Sequence, residues 1–127
     1  MTKLIPNRLL MDVEFALHYR AKPPAIDGSL SDWTDADLLP ALCVLDDEEP
    51  FAPVWACWNE KGLYIACHVT RKTQRPRCDP RVYWKSDNLR LCTDMRDARR
   101  NKRATRYCQQ FHFLPTGGGD GSEAVAG

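Results

Sequence analysis

No stretch of this 127-residue chain approaches the roughly 18 consecutive apolar residues that a membrane helix requires, so a membrane is not an expected partner. No Cys-x-x-Cys pair occurs. The six cysteines (Cys43, Cys57, Cys67, Cys78, Cys92, Cys108) stand 10 to 16 residues apart, which argues against a zinc ribbon or a thioredoxin-type site. A serine-nucleophile motif, a pair of catalytic glutamates and a His-Glu metal motif are all missing, and Glu60 and Glu123 fall in a turn and a tail. The chain is therefore expected not to be an enzyme. Residues 27–49 contain no Lys or Arg but eight acids, whereas residues 71–106 hold 13 of the 18 basic residues against four aspartates. Such polarity can mark a nucleic-acid surface. Here the basic residues are scattered through proline-bearing loops rather than along one helix face, which argues against nucleic acid and for two solvated loop regions.

Apolar residues make up 43% and charged residues 28% of the chain, ordinary values for a soluble globular domain, and the length fits one domain. Pro6, Asn7, Arg8, Asp12 and Glu14 interrupt any signal-like apolar region near the start. That leaves the cytoplasm as the default expectation. Five of the cysteines (all but Cys78) lie in apolar or strand-like runs, where free cysteine behaves as a small hydrophobe.

What is present reads as strand. "PVWACWN" (53–59) and "GLYIACHVT" (62–70) are β-branched and aromatic runs joined by a tight polar turn, a hairpin signal. In the second run Leu63, Ile65, Cys67 and Val69 share one face, and Tyr64, Ala66, His68 and Thr70 share the other. Residues 88–94 alternate again, with Leu89, Leu91 and Thr93 against Arg90, Cys92 and Asp94, and 106–114 follow suit. Prolines at 23, 24, 50, 53, 76 and 80 exclude long helices from the middle of the chain. "SDWTDADLL" (31–39) predicts one short helical turn capped by Ser31 or Asp32. Asp27 and Gly28 predict a turn, and Asp87 and Asp94 are expected to fix the two ends of the 88–94 strand. Several short strands between turn-rich loops indicate an all-β, antiparallel sandwich or barrel.

"TGGGDGSEAVAG" closes the chain with four glycines among residues 117–121. Ordering such a run costs backbone entropy, so a flexible tail is expected. The simplest reading makes it a surface loop of a larger sandwich that is incomplete at the C-terminus, leaving an exposed sheet edge through which chains could associate.

Four segments in order, "AIDGSLSDW", "VWACWNEKGLYIACHVT", "WKSDNLRLCTDMRD" and "YCQQFHFLP", resemble the family 9 carbohydrate-binding modules and the related DOMON-like domains. The resemblance covers about residues 24–115. It divides the chain into an N-terminal extension (1–23), a jelly-roll or DOMON-like β-sandwich (24–115) and a glycine-rich tail (116–127). It implies a non-catalytic domain that binds sugar by tryptophan stacking and polar contacts. By position Trp84 matches the first stacking tryptophan, and Gln110 and His112 match polar site positions, His112 standing where the family often has arginine. Arg90 stands where the family carries a sugar-binding glutamate; an arginine only donates, so the recognised hydroxyl pattern must differ. The second stacking tryptophan would fall beyond Gly127. Trp33 is expected to pack the opening segment. Family 9 modules also carry structural calcium, for which Asp94 and Asp97 are the candidates, and DOMON relatives hold haem, for which Met95 and His112 are. The alternative is a protein-interaction or structural sandwich that has lost its sugar site.

Overall fold

A computed structural model describes residues 13–100 and 103–127, and residues 1–12 of the expected N-terminal extension lie outside the described residues. The described residues are all-β in their regular structure, with two three-stranded sheets and a few short 3-10 turns. No helix of the described residues is long and apolar enough to cross a membrane. The described residues form two compact units, divided between Lys72 and Thr73.

The first unit is built on the predicted hairpin. β2 (Val54–Asn59) and β3 (Gly62–Cys67) pair antiparallel from Val54 opposite Cys67 to Asn59 opposite Gly62. The buried Asn59 makes the turn: its side-chain oxygen accepts from the Lys61 amide at 2.9 Å and its amide donates to the Arg20 carbonyl at 3.1 Å. A strand from the expected extension completes the sheet. β1 (His18–Tyr19) runs parallel to β2, with His18 opposite Cys57 and Tyr19 opposite Trp58. Adjacent Ala56 and Cys57 are both buried. Because neighbouring strand residues point to opposite faces, the middle of β2 is covered on both sides.

Cover for the Cys57 face comes from segment 31–39, whose 3-10 turn spans Asp35–Asp37 with Thr34, not Ser31 or Asp32, in the N-cap position. Asp32 instead accepts from the Ala25 amide at 3.0 Å. Asp37 is fully buried and is the centre of this unit. Its Oδ2 accepts from the Thr34 amide, the Thr34 hydroxyl and the Arg20 guanidinium, each at 3.0 Å. Its Oδ1 accepts from His18 Nδ1 at 2.7 Å, which places the imidazole proton on that nitrogen, since an ionised carboxylate has nothing to donate. Trp33 beside it is half-buried, and Asp27 accepts from the Ser29 amide across Gly28, the turn expected there.

The second unit holds β4 (Leu89–Asp94), β5 (Cys108–Gly118) and β6 (Glu123–Ala126), ordered β4-β5-β6 and antiparallel throughout. Leu89 lies opposite Phe113 and Leu91 opposite Phe111, an apolar cross-strand ladder on one face. Leu114, opposite Val125 in β6, is the fully buried side chain of this sheet. The glycine-rich end is a hairpin rather than a loose tail. β5 continues through a bulge after Leu114, where Pro115 sacrifices no regular ladder donor, and β6 returns along it. Gly117 and Gly119 have φ of 107° and 54°, values that glycine adopts without steric cost, so the residues that suggested disorder are the ones the turn requires.

The cysteines are all free, but only Cys57 is fully buried; Cys92 is exposed and the rest are intermediate. The expectation of buried thiols therefore fails for Cys92, because it shares the solvent-facing side of β4 with Arg90 and Asp94.

Burial pushes the Asp37 carboxyl up, but hydrogen bonds from His18 and Thr34 and the Arg20 charge outweigh it and hold its pKa below the usual aspartate value. A lowered folded-state pKa gives stability that is present above the unfolded value of about 3.9 and is lost as pH falls through the lower folded value. Asp37→Asn should therefore flatten the acid limb of a stability-against-pH curve measured by urea unfolding. At neutral pH Asp37→Ala should cost about 2 kcal/mol, near the low end for a buried acceptor because His18 and Arg20 are partly exposed and can turn to water. An unchanged acid limb in the Asn variant would contradict the assignment.

Candidate functional site

The residues singled out in sequence lie on the face of β4 and β5 opposite the Leu89–Phe113 ladder. Arg90 is directly opposite His112, and Cys92 is directly opposite Gln110, so Arg90, Gln110 and His112 share one patch. Trp84 comes from a different element, the 3-10 segment Pro80–Lys85.

That segment is shaped by its own polar residues. Asp79 caps it, accepting from the Arg81 amide at 3.0 Å, and its carboxylate takes the Arg81 guanidinium through Nε and a terminal nitrogen at 3.0 and 2.9 Å. Hydrogen bonding from Arg81 holds the Asp79 carboxyl below its usual pKa. Pro80 opens the turn, where its missing N–H costs nothing. Ser86 closes it, its hydroxyl accepting from the Asp79 amide at 2.8 Å, while the Asn88 amide donates to the Tyr83 and Ser86 carbonyls at 3.0 and 2.7 Å. Asp87 ties the start of β4 back to Arg77, accepting its amide at 2.8 Å and donating its own N–H to the Arg77 carbonyl at 3.0 Å. The expected role of Asp87 as an anchor holds, with a partner ten residues away.

The result is to lay Tyr83 over the sheet. Its ring stacks on His112 with centroids 4.0 Å apart and planes within 6°. The Arg90 guanidinium carbon lies 5.8 Å from the Tyr83 ring centre, within cation–π range. The Gln110 amide reaches the Tyr83 hydroxyl at 3.4 Å, and Trp84 meets Tyr83 edge-on at 5.3 Å. Trp84 itself is 57% exposed. Sequence reasoning passed over Tyr83; its signal was the Tyr-Trp pair itself, two adjacent aromatics on a turn, which must point in different directions.

His112 is held on a second side as well. Its backbone exchanges both hydrogen bonds with Gly127, at 2.7 and 3.0 Å, and a Cβ at position 127 would come within 2.5 Å of the imidazole. The imidazole is therefore a floor beneath Tyr83, whereas Arg90, Gln110 and Trp84 are exposed. Chemically the patch offers an aromatic plane, a pure donor and a side chain that both donates and accepts.

Asp94 and Asp97 do not join it. Asp94 accepts the Arg96 and Ala98 amides at 3.0 and 2.8 Å, fixing the end of β4 as expected, and Asp97 is paired with Arg99 at 2.9 Å. Both carboxylates are engaged inside their own turn, and the described residues contain no group of three or more His, Cys, Asp or Glu suited to a metal. Met95 and His112 do not fit a shared haem iron: five strand positions separate Met95 from the Arg90–His112 pair, roughly 16 Å along the strand. Much of the basic segment is also engaged locally. Arg81 and Arg99 are in ion pairs, and the guanidinium carbons of Arg96 and Arg106 lie 4.3 and 4.9 Å from the Tyr107 ring centre.

No family model, curated protein or solved structure matches the chain.

The stacking arrangement makes a checkable prediction. Tyr83→Phe keeps the ring and should cost less than about 1 kcal/mol, whereas Tyr83→Ala removes a stacked and an edge-on contact and should cost about 2 kcal/mol. In NMR spectra the ring-current shift of the His112 imidazole protons should survive in the Phe variant and vanish in the Ala variant. Retention in both would mean that Tyr83 does not cover His112.

Proposed function

We propose that this chain is a non-catalytic carbohydrate-binding domain of the kind family 9 modules represent, its two sheets belonging to a β-sandwich architecture. One observation carries the reading. Trp84 and Arg90 from one segment of sequence, and Gln110 and His112 from another, all gather around the single ring of Tyr83. In this reading the apolar face of a pyranose stacks on the exposed indole of Trp84. Gln110 exchanges hydrogen bonds with its hydroxyls, and His112 supports Tyr83 from below without touching the sugar.

Arg90 sets the selectivity. A guanidinium donates and never accepts, and its fork fits a carboxylate through two hydrogen bonds. The site therefore favours sugars bearing acceptors, uronates above neutral hexoses.

A second reading, a protein-interaction domain that has lost sugar binding, is favoured by a different surface. Tyr19, Trp58 and Leu63 are each more than two-fifths exposed on one face of the first sheet, with Tyr19 edge-on to Trp58 at 5.1 Å.

Titration with glucuronate and glucose, followed by tryptophan fluorescence and calorimetry, separates the two. The sugar reading predicts saturable binding, tighter for the uronate and weakened about tenfold or more by Trp84→Ala. Arg90→Glu should reverse the preference. Absence of heat and of any fluorescence change with both sugars would sink it and leave the interaction reading.

A further inference from the structure

The first unit carries a groove that the sugar reading does not use. Its two walls are the segments 38–43 and 50–54, and its volume is about 740 Å³, within the range of roughly 300–1,000 Å³ typical of binding sites. Both walls are pinned through their backbone carbonyls and amides. On one side the Leu39 amide donates to the Val54 carbonyl at 2.8 Å, and Leu38 bridges to Trp55. On the other, the Thr70 amide and hydroxyl both donate to the Phe51 carbonyl, at 2.7 and 2.9 Å, and the His68 amide donates to the Pro53 carbonyl at 3.1 Å. The groove is thus a product of main-chain pairing, and its side chains are free to do something else.

Those side chains are apolar and exposed. Leu38, Leu42 and Phe51 keep 43%, 37% and 54% of their surface in water, and lining prolines at 40, 50 and 53 supply no N–H donors. The charges around them are mostly negative. Asp35 lines the groove. The loop joining its two walls carries Asp46, Asp47, Glu48 and Glu49, and residues 27–49 contain no Lys or Arg. The exposed Arg71, paired with Glu49 at 2.9 Å, is a cation at this rim, and both members of the pair are well solvated. Such a pair is weak and exchangeable.

An apolar trough with an acidic border is complementary to an apolar segment flanked by cations. We propose that this groove docks a short peptide segment of a partner protein in which leucine-like side chains alternate with Lys or Arg. The apolar side chains fill the trough between Leu42 and Phe51, and the cations face Asp35 and the 46–49 loop. This rests on neither Trp84 nor the sugar reading.

The probe is a fluorescein-labelled hexapeptide of alternating leucine and lysine, compared with its leucine–glutamate counterpart by fluorescence anisotropy on the full chain. The lysine peptide should bind saturably and at least about tenfold tighter than the glutamate peptide, and should weaken as salt rises from about 50 to about 500 mM. Leu42→Ser and Phe51→Ser should each weaken it about tenfold. Because no side-chain atom of Leu42 or Phe51 takes part in the wall bonds, far-ultraviolet circular dichroism should be unchanged in both variants. The double variant Asp35→Asn, Glu48→Gln should erase the preference for lysine over glutamate. Equal affinity for both peptides, binding indifferent to the serine variants, or no saturable binding would overturn the proposal. So would concentration-dependent self-association abolished by Phe51→Ser, which would assign the groove to a second copy of the chain.

Discussion

The first sheet depends on one buried carboxylate. A two-residue parallel strand is weakly held by its ladder alone, because so few bonds do not offset the entropy of ordering the chain that delivers them. Asp37 supplies what is missing: it accepts from His18 and Arg20 on either side of Tyr19 and from Thr34 at the head of its own 3-10 turn. The same atom set that satisfies the carboxylate therefore fixes β1 to the 31–39 segment. Cys57 opposite His18 is sealed beneath it, and burial pushes its thiol pKa up, away from the reactive thiolate.

Tyr83 has a comparable part in the second unit, with aromatic surface in place of charge. A kinked 3-10 segment held by Asp79, Ser86 and Asn88 lowers the ring onto His112. With His112 occupied between Tyr83 and Gly127, the groups left facing outward are an indole, a guanidinium and an amide. That combination sets an aromatic plane beside a pure donor and a group that both donates and accepts. The functional proposal follows from this division between groups used to build the patch and groups left over.

Local pattern made β2, β3 and β4 legible, since alternation over six residues and a polar two-residue turn are properties of adjacent residues. Asp27, Asp87 and Asp94 were legible for the same reason, as carboxylates beside turns. What escaped was non-local or ambiguous. The pairing of His18–Tyr19 with residues 57–58 spans almost 40 positions and leaves no mark on a two-residue strand. Asp37 looked like one acid among eight, because its partners come from distant sequence. The glycines at 117–121 were weighed as entropy, whereas positive φ at three of them is what closes the β5–β6 turn. Trp84, Arg90, Gln110 and His112 were named through family resemblance, but Tyr83, which they surround, was not, since stacking on His112 emerges only once the 3-10 segment folds over the strand pair.

The central claim is that ligand recognition belongs to the patch around Tyr83, and a residue-resolved map tests it most directly. On adding glucuronate to isotope-labelled protein, the account predicts shifts at the Trp84 indole N–H, the Arg90 guanidinium and the Gln110 side-chain amide, with the Trp58 indole and Asp37 neighbours unmoved. Shifts confined to Trp58 and Tyr19, or none at saturating sugar, would contradict it.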